Sequence, residues 1–475
     1  MNSRDERMGF IGKFLVFGAG LALLVGAGIG GLWYKLSQPA PIPKLELQYW
    51  GPGKAKADDI TIKPFKINVS NEVLEDLRDR LDLLPPLTPP LEGANFRYGF
   101  NSDYLQKVVQ FWQNEYDWRS RETFLNSLPQ FSTQVGGLQL HFIHAKPREV
   151  PAGVRVLPLL LLHGWPGSVR EFYELIPLLT AARPGAGFVF EVVAPSLPGF
   201  GFSEGAAKPG LGPAQMGVLF RALMERLGHK EFYVQGGDWG HVIGSAMATL
   251  FPKSVLGFHT NMVFLTTPLS QFRLLLGSFI PSLVVEPEHY NKVYPIVKNF
   301  MYILEESGYF HLQTTKPDTV GVSLRDSAVG LAAYILEKFS TWTDKDWRSL
   351  PDGNLEKKFS LTNLLDNVMI YWVSGSITTS MRLYSEAFTK QYLGLQIDSV
   401  PCIVPTAVAN FPNELSYTPK KIAEDKYRNL VQFSHLPRGG HFAAFEEPQL
   451  LANDLWDAVE NIRKIRFQSL SKIKK

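Results

Sequence analysis

At 475 residues the chain is too long for one average domain, and it predicts one large core with an insertion or two to three domains. Its 45% hydrophobic and 20% charged residues exclude a largely disordered protein, and its net charge of +3 gives no reason to expect a nucleic-acid partner. The single cysteine, Cys402, excludes an intrachain disulfide and a cysteine-based metal site.

The N-terminal segment, residues 1–37, departs from this ordinary composition. Residues 14–34 carry no charge and are flanked by Lys13 and Lys35. A helix of that length, at about 1.5 Å per residue, would cross the roughly 30 Å hydrocarbon core of a bilayer. A cleaved signal peptide is the alternative, but the apolar run is too long for one and no Ala-x-Ala site follows it. The segment therefore predicts a retained, single transmembrane anchor.

The anchor sequence also bears on orientation and association. Slightly more lysines follow the span than basic residues precede it, which favours a cytosolic position for the body of the protein. Small residues recur at Gly18, Ala22, Gly26 and Gly30, on one helix face, where they permit close contact with a second helix. Because membrane helices are rich in glycine generally, self-association through this face is a hypothesis only.

Residues 38–137 are predicted to form an extension that wraps around the main body. A proline-rich linker occupies residues 38–43, and helical patterns follow at 70–84 and 103–118. No independent core pattern is visible in this segment. Its helices therefore need the main body to bury their apolar faces.

A regular alternation of strands and helices begins at residue 138. Strand patterns lie at 138–143, 157–162, 188–194, 232–235, 255–262, 402–408 and 430–435, with helical patterns at 169–180 and 213–227. This order predicts an α/β fold with a mostly parallel sheet covered by helices. Residues 263–395 interrupt the alternation with a helical, aromatic segment. We interpret that segment as a lid between two parts of the core, 138–262 and 396–475.

The most informative stretch is the sequence GGDWG at 236–240, which joins the predicted strand 232–235 to a predicted helix at 241–251. Strand, sharp turn and helix in this order are the layout of a nucleophile elbow. The residue at its tip is Asp238, where many hydrolases have serine. Gly-Gly-Asp is also common in ordinary turns, but the flanking strand and helix favour the elbow.

A second segment offers the amides that such a site needs. Strand 157–162 runs directly into His163, Gly164, Trp165 and Pro166, which are predicted to form an oxyanion and pocket loop. A turn there can direct the amide of Trp165 at a developing oxyanion, with the amide of Trp239 as its partner.

Candidates for the remaining catalytic groups follow the last two strands. Glu414 lies in the loop after the strand that ends near residue 409, and His441 follows the final strand. The chain order is therefore nucleophile, acid and histidine, the order used by α/β-hydrolases. Asp366 and Asp398 remain alternatives for the acid, and an ordinary loop histidine remains the alternative for His441.

A carboxylate nucleophile restricts the chemistry. It is weak, so it requires an electrophile with ring strain or a good leaving group, and attack on carbon yields an ester. His441, oriented by Glu414, would deprotonate water to hydrolyse that ester. An epoxide would also need a proton donor for its oxygen, and phenols suit this role. The lid offers several, and composition alone does not rank Tyr302, Tyr309, Tyr334, Tyr371 and Tyr384.

Several long motifs resemble the microsomal epoxide hydrolase family. They are WGPG at 50–53, HGWPGS at 163–168, GGDWG at 236–240, GYFHLQTTKPDTVG at 308–321 and RGGHFAAFEEP at 438–448. The resemblance extends from about residue 48 to the C-terminal helix, with no departure at the motif positions. The stretches at 158–173 and 378–384 are most similar to the branch that acts on insect juvenile hormone.

The resemblance implies a role for each matched residue. Asp238 is expected to be the nucleophile, His441 the base and Glu414 its acid partner. Tyr309 and Tyr384 are expected to protonate the epoxide oxygen, and the peptide bond between Trp165 and Pro166 is expected to be cis. The family requires no cofactor or metal, and its catalytic body is expected on the cytosolic face of the endoplasmic reticulum.

The expected function is therefore hydrolysis of apolar epoxides to vicinal diols, with an epoxide and water as the reacting partners. A terpenoid hormone epoxide and xenobiotic epoxides are both candidate substrates. A haloalkane dehalogenase is the enzymatic alternative, because it also uses an aspartate on an elbow followed by tryptophan. A non-catalytic hormone-binding protein is the other alternative, although it would be expected to lose one of Asp238, Glu414 or His441.

Overall fold

The computed structural model describes residues 26–265 and 267–473, and within them nine strands form one mixed sheet. The strands are β1 (Lys63–Phe65), β2 (Gln130–Val135), β3 (Leu138–Ala145), β4 (Arg155–Leu162), β5 (Phe188–Pro195), β6 (Phe232–Gly236), β7 (Val255–Thr260), β8 (Thr406–Asn410) and β9 (Leu430–His435). Their spatial order is β1-β2-β3-β5-β4-β6-β7-β8-β9. The sheet is antiparallel from β1 to β5 and parallel from β5 to β9.

Helices cover both faces of the parallel half, as the apolar strand patterns require. α5 (Leu175–Thr180) and α19 (Pro448–Ile473) pack together on one face, and α6 (Pro213–Arg226) and α7 (Asp238–Leu250) pack together on the other. Between these layers the residues from Leu159 to Leu162 in β4 are almost completely buried. Parallel strands with both faces covered carry continuous apolar runs, which is why this part of the sheet was readable from sequence.

The N-terminal extension contributes more to the sheet than its sequence patterns indicated. α1 (residues 26–36) lies in the predicted anchor segment, and the helices of the extension are α2 (Asn71–Asp82), α3 (Ser102–Asn114) and α4 (Trp118–Leu125). The same segment also supplies β1 and β2, which extend the antiparallel edge. β1 has only three residues and β2 is partly exposed, so neither has the apolar run that marks the central strands.

The described residues between β7 and β8 form helices joined by loops and include no strand. The helices are α8 (Pro268–Gly277), α9 (Tyr290–Val293), α10 (Ile296–Glu306), α11 (Gly308–Thr315), α12 (Pro317–Asp326), α13 (Ala328–Thr341), α14 (Leu361–Ser374), α15 (Ile377–Ala387) and α16 (Lys390–Leu393). After β8 follow α17 (Lys420–Lys426) and α18 (Ala443–Glu446). The extension packs against this lid, since α2 contacts α13 and α3 contacts α14.

Most of the predicted anchor cannot be compared with the structure. Residues 14–25, including Gly18 and Ala22, lie outside the described residues, and α1 covers the remainder. Among the described residues no helix combines the length and the apolar character needed to cross a membrane.

A buried ion cluster joins the extension, the core and the lid. Asp366 of α14 is fully buried and accepts hydrogen bonds from Arg121 at 2.9 and 2.7 Å, Arg170 at 2.9 Å and the Tyr116 hydroxyl at 3.0 Å. Arg170 is also fully buried and forms a second ion pair with Glu174. These hydrogen bonds and ion pairs occupy the Asp366 carboxylate, so the alternative in which Asp366 is the catalytic acid is wrong.

We expect Asp366→Ala to lower the free energy of unfolding by about 3–5 kcal/mol, because it leaves buried guanidinium groups without their counter-charge. Chemical denaturation followed by circular dichroism measures this loss. The control is Asp318→Ala, which removes an ion pair with Arg382. The Asp318 side chain is 62% exposed. That exposed pair should contribute at most about 1 kcal/mol. Equal losses in the two variants would contradict the assignment.

Candidate active site

Asp238 lies at the tip of a sharp turn between β6 and α7. Its φ of +49° is in the left-handed region, a strained conformation for a residue with a side chain. The turn is possible because Gly240 lies against β4: a Cβ atom at that position would stand 2.0 Å from the carbonyl oxygen of Leu162. The helix begins at Asp238 itself, three residues earlier than its sequence pattern indicated. The predicted nucleophile elbow is therefore present.

The loop after β4 presents a backbone donor to this carboxylate. The amide of Trp165 donates to Asp238 Oδ1 at 2.8 Å, and the peptide bond between Trp165 and Pro166 is cis, as expected. A Cβ atom on Gly164 would stand 2.1 Å from the same oxygen, so only glycine allows this approach. One carboxylate oxygen thus already rests where an oxyanion would be bound.

His163 supports this loop rather than facing the carboxylate. It is buried, its Nε2 accepts a hydrogen bond from the Leu197 amide at 3.2 Å, and its Nδ1 lies 3.0 Å from the carbonyl oxygen of Gly164. Burial lowers the pKa of His163 to about 4, so the ring is neutral at physiological pH. Both ring nitrogens of His163 contact backbone groups, so His163 stabilises the loop.

The lid holds the same loop from the opposite side. Asn367 of α14 donates to the carbonyl oxygen of Pro166 at 2.7 Å, and the Tyr371 hydroxyl donates to that of Gly167 at 2.7 Å. The hydroxyl hydrogen of Tyr371 is therefore engaged by a backbone carbonyl, which distinguishes Tyr371 from the other lid phenols.

His441 connects the nucleophile to the acid. Its Nδ1 lies 2.6 Å from Glu414 Oε1, and its Nε2 lies 3.4 Å from Asp238 Oδ2. Burial alone would lower the pKa of His441. The charge of Glu414, hydrogen bonds with Asp238 and Glu414, and the charge of Asp238 together raise this pKa well above its ordinary value. The three residues predicted to form a triad therefore meet.

Asp238 and His441 lie 203 positions apart in the sequence (441 − 238), so no local sequence pattern could have shown that they meet. Their meeting follows from the sheet instead. β4, β6, β8 and β9 are parallel, and their carboxyl ends therefore lie along one edge, where the loops that carry these residues begin.

The loop of His441 is held by groups that the sequence did not reveal. The His441 amide donates to the carbonyl oxygen of Trp342 in the lid at 3.1 Å, and the indole of Trp342 packs edge-on against the imidazole at 5.0 Å. Glu446 accepts from the amides of Gly440 at 2.7 Å and Phe442 at 2.9 Å. A lid residue and a buried carboxyl thus position the histidine.

Tyr309 and Tyr384 face the nucleophile from the lid. The Tyr309 ring stacks on Trp165 at 5.4 Å, the Tyr384 ring packs edge-on against Trp239 at 4.7 Å, and the two phenol rings are 6.0 Å apart. Burial raises the pKa of both phenols well above the ordinary value, and the charge of Asp238 raises it further. Both therefore remain protonated at neutral pH and can donate a hydrogen bond.

The other candidates from the sequence lie elsewhere or have other partners. The Tyr334 hydroxyl donates to Gln313 at 3.2 Å, and Tyr302 lies under the guanidinium of Arg348. Burial raises the pKa of Asp398, whereas the charge of Lys426 lowers it. The hydrogen bond of His441 Nδ1 goes to Glu414, so the geometry favours Glu414 over Asp398.

A narrow cavity beside Asp238 contains two polar groups that sequence reasoning missed. About 20 Å³ of it is accessible to water, and Glu171, Gln235, Asp238 and His441 are among the residues that line it. This volume holds on the order of one water molecule. Among the described residues, Gln235 Oε1 is buried without a hydrogen-bond partner. Only its position after the HGWPGS motif could have drawn attention to Glu171.

Glu171 is partly buried, and it lines the cavity beside Asp238. Its Oε1 packs over Gly167, where a Cβ atom would overlap it. Burial raises the pKa of Glu171 to about 8; the charge of His441 opposes this rise and that of Asp238 adds to it. At neutral pH this group is therefore mainly a neutral carboxylic acid, which can donate a hydrogen bond.

The sheet, the elbow and the order of the three central residues define an α/β-hydrolase. In agreement, a profile of the alpha/beta hydrolase fold matches residues 158–448, and one described as epoxide hydrolase N terminus matches residues 62–172.

Similar proteins place the chain more narrowly. It is 54% identical over 450 residues to juvenile hormone epoxide hydrolase 1 of Ctenocephalides felis, covering 94% of this chain and 97% of that protein. It is 46% identical over 444 residues to epoxide hydrolase 1 of Oryctolagus cuniculus, covering 92% and 97%. The chain belongs to the epoxide hydrolase family and is an enzyme that hydrolyses epoxides.

Solved structures agree with this assignment. The crystal structure of juvenile hormone epoxide hydrolase from the silkworm Bombyx mori superposes with a TM-score of 0.87 at 50% identity, covering 89% of this chain and all of that one. The Aspergillus niger epoxide hydrolase gives a TM-score of 0.70 at 28% identity, with coverage of 85% and 97%. These matches favour epoxide hydrolysis over the dehalogenase and binding-protein alternatives.

The carboxyl of Glu171 makes stability depend on pH. Its pKa of about 8 lies above that of an exposed glutamate, so the folded state binds a proton that the unfolded state releases. Its contribution to stability is therefore present at pH 4 and is lost as the pH rises through 8. Glu171→Gln has no such loss. The melting temperature of this variant minus that of the unchanged protein should therefore increase between pH 5 and about 8.5.

Differential scanning fluorimetry across this pH range measures the effect. Glu92→Gln, which alters an exposed residue of the extension, is the control and should melt in parallel with the unchanged protein at every pH. A melting-temperature difference for Glu171→Gln that does not change with pH would contradict the prediction.

Proposed function

We propose that this epoxide hydrolase works in two steps through an ester of Asp238. The observation that carries the proposal is the position of its carboxylate, with one oxygen 2.8 Å from the Trp165 amide and the other 3.4 Å from His441 Nε2. An amide donor and a base therefore flank the carboxylate that we propose as the nucleophile, and the phenols of Tyr309 and Tyr384 face it.

In the first step a carboxylate oxygen of Asp238 attacks an epoxide carbon. The bond between that carbon and the ring oxygen breaks, and the ring oxygen takes a proton from Tyr309 or Tyr384. Because the phenols are buried and their pKa is high, both hydroxyls are protonated and available when the epoxide binds. The products of the step are a hydroxyalkyl ester of Asp238 and a tyrosinate.

In the second step His441 takes a proton from water, and the resulting hydroxide attacks the carbonyl carbon of the ester. The narrow cavity beside Asp238 is a suitable place for this water. The amides of Trp165 and Trp239 stabilise the tetrahedral oxyanion. Collapse of this intermediate expels the alkoxide of the diol, which takes the proton held by His441. The proton of the resulting Asp238 carboxyl passes to the tyrosinate, so the net reaction adds one water to the epoxide.

Ester formation also prepares the base. In the free enzyme the charges of Glu414 and Asp238 raise the pKa of His441, which favours an imidazolium beside the nucleophile. Esterification removes the charge of Asp238 and its hydrogen bond. The pKa of His441 then falls toward the value that a general base needs near neutral pH.

We further propose that the substrate is an apolar epoxide, with juvenile hormone the first choice and xenobiotic epoxides the second. The names of two similar proteins, from Ctenocephalides felis and Bombyx mori, support the hormone. The aromatic rings around Asp238, contributed by Trp165, Tyr309 and Tyr384, form an apolar surface that suits such a substrate.

Residues 14–34 are proposed to anchor the enzyme in the endoplasmic reticulum membrane, with the catalytic body in the cytosol. The uncharged length of this segment supports the proposal, and an apolar substrate that partitions into lipid gives it a purpose. Residues 263–395 are proposed to act as the lid over a core formed by 138–262 and 396–475. Self-association through Gly18, Ala22, Gly26 and Gly30 remains a hypothesis.

We expect His441→Gln to form the ester but to hydrolyse it about 10²–10⁴-fold more slowly, because water loses its general base. Mass spectrometry of protein mixed with excess epoxide should then show Asp238 carrying one substrate mass. Rapid multiple turnover by this variant would contradict the assigned role.

We expect the double variant Tyr309→Phe and Tyr384→Phe to fail at the earlier step, because ring opening lacks its acid. Burst kinetics should show alkylation slowed by about 10²–10⁴-fold, and no ester should accumulate. The control is Tyr302→Phe, which alters a lid phenol that lies under Arg348 and should retain normal alkylation. Ester accumulation at the normal rate in the double variant would assign the proton to another donor.

The preferred substrate is tested by comparing kcat/KM for juvenile hormone and for styrene oxide. We expect the hormone to be preferred by about 10-fold or more, because each additional buried methylene contributes about 0.8 kcal/mol. Preference for styrene oxide would make xenobiotic epoxides the better assignment.

A further inference from the structure

The lid helix α10 has its polar and apolar faces reversed relative to an ordinary surface helix. Its inward residues are Asn299, Tyr302 and Glu306: Asn299 donates to the carbonyl oxygen of Val293 at 2.9 Å, and Glu306 pairs with Arg348 at 2.7 Å. Most of its exposed residues are apolar, with Val297 70% and Phe300 59% exposed. A helix of a soluble surface normally shows the opposite arrangement.

Exposed apolar side chains are also present on helix α8 and in the turn after it. The Tyr294 hydroxyl, just before α10, donates to the carbonyl oxygen of Leu274 in α8 at 2.9 Å and holds the two segments together. The apolar lid face is defined by Leu275, Phe279, Ile280, Val297, Phe300 and Leu304, all of which are exposed. A group of exposed apolar residues of this size is typical of an interaction site.

The path of the chain indicates what covers this face. α1 is the C-terminal part of the proposed anchor segment and meets the body at α8, where Trp33 packs edge-on against Phe272 at 6.2 Å and lies under the guanidinium of Arg273. The chain therefore leaves the body beside the apolar lid face. Lys298 on α10 is exposed, and Lys421 donates to the carbonyl oxygen of Ser282 next to the face, so cations are available for lipid headgroups.

We propose that the apolar lid face lies in the surface of the same bilayer that holds the anchor. α10 then acts as an interfacial helix, with its apolar residues among the acyl chains and its polar residues against the protein. This inference rests on the proposed membrane anchoring of the enzyme. It adds a second, independent contact with lipid, made by the lid itself.

The position of the face gives the contact a consequence for catalysis. α10 is joined to α11 by Ser307, and Tyr309 is the second residue of α11. The segment docked on the bilayer is therefore continuous with the segment that carries a proton donor. An epoxide dissolved in the membrane meets the enzyme at the lid instead of crossing bulk water.

The test uses full-length protein reconstituted in phosphatidylcholine vesicles that contain a minority of phosphatidylserine. Val297→Cys carries an environment-sensitive fluorophore, and Val322→Cys is the matched control, since both valines are exposed lid residues at 70% and 71%. The native Cys402 is buried and should not compete for the label. We expect the label at 297 to shift to the blue and to lose most of its fluorescence to quencher-bearing lipids, with little change at 322.

Each other outcome overturns the inference in a recognisable way. A label at 297 that behaves like the label at 322, in protein that floats with the vesicles, refutes the docked face and leaves the anchor intact. A shielded label that lipid quenchers do not reach indicates contact with a second copy of the chain. Protein that does not float with the vesicles refutes the anchor together with the docked face, whereas turnover of epoxide in solution tests the enzyme separately.

A second measurement depends on activity. The double variant Val297→Ser and Phe300→Ser alters only exposed side chains, so the fold should be retained. Its KM for an apolar epoxide supplied in vesicles should rise several-fold, and its KM for a small water-soluble epoxide should not change. An equal rise for both epoxides, or for neither, would contradict lipid docking.

Discussion

The geometry of the active site depends on one negative charge, the carboxylate of Asp238, held in a confined space. The carboxylate of Asp238 sits on a strained turn, with one oxygen on the Trp165 amide and the other facing His441. Its position requires a close approach of the Gly164 backbone to the Asp238 side chain and of the Gly240 backbone to that of Leu162. Sheet, elbow and loop after β4 therefore have to form together before the nucleophile has its geometry.

The same charge couples the other titratable groups of the site. It raises the pKa of His441, of both lid phenols and of Glu171, each of which also responds to burial. When the carboxylate becomes an ester this contribution disappears for all four groups at once. In the mechanism that we propose, the covalent step therefore changes the protonation equilibria that govern the hydrolytic step.

The lid serves the site and the surroundings through different faces. Its inner side supplies phenols, the Trp342 carbonyl that holds His441, and the Asn367 and Tyr371 contacts that hold the oxyanion loop. Arg121 and Arg170 tie it to the extension and the core through buried Asp366. Its outer side, at α8 and α10, remains apolar and exposed. In our proposal, this apolar outer face contacts the bilayer from which an apolar epoxide reaches the enzyme.

Sequence alone determined the central chemistry, because the groups that carry it are local. An aspartate on a strand–turn–helix motif and glycines beside it are visible in five consecutive residues, and parallel strands place the following loops at one edge. The order of Asp238, Glu414 and His441 then limited the reaction to ester chemistry, and a resemblance to known motifs supplied the phenols.

Tertiary structure alone decided which of several similar residues take part. The sequence left Asp366 as an alternative to Glu414, and composition did not rank Tyr371 below Tyr384. In the structure, their polar atoms are bonded to Arg170 and to the Gly167 carbonyl. The partly buried carboxyl of Glu171, the two edge strands and the reversed faces of α10 were also invisible in the sequence. All of these depend on contacts between distant segments, and such contacts leave no periodic or local signal in the chain.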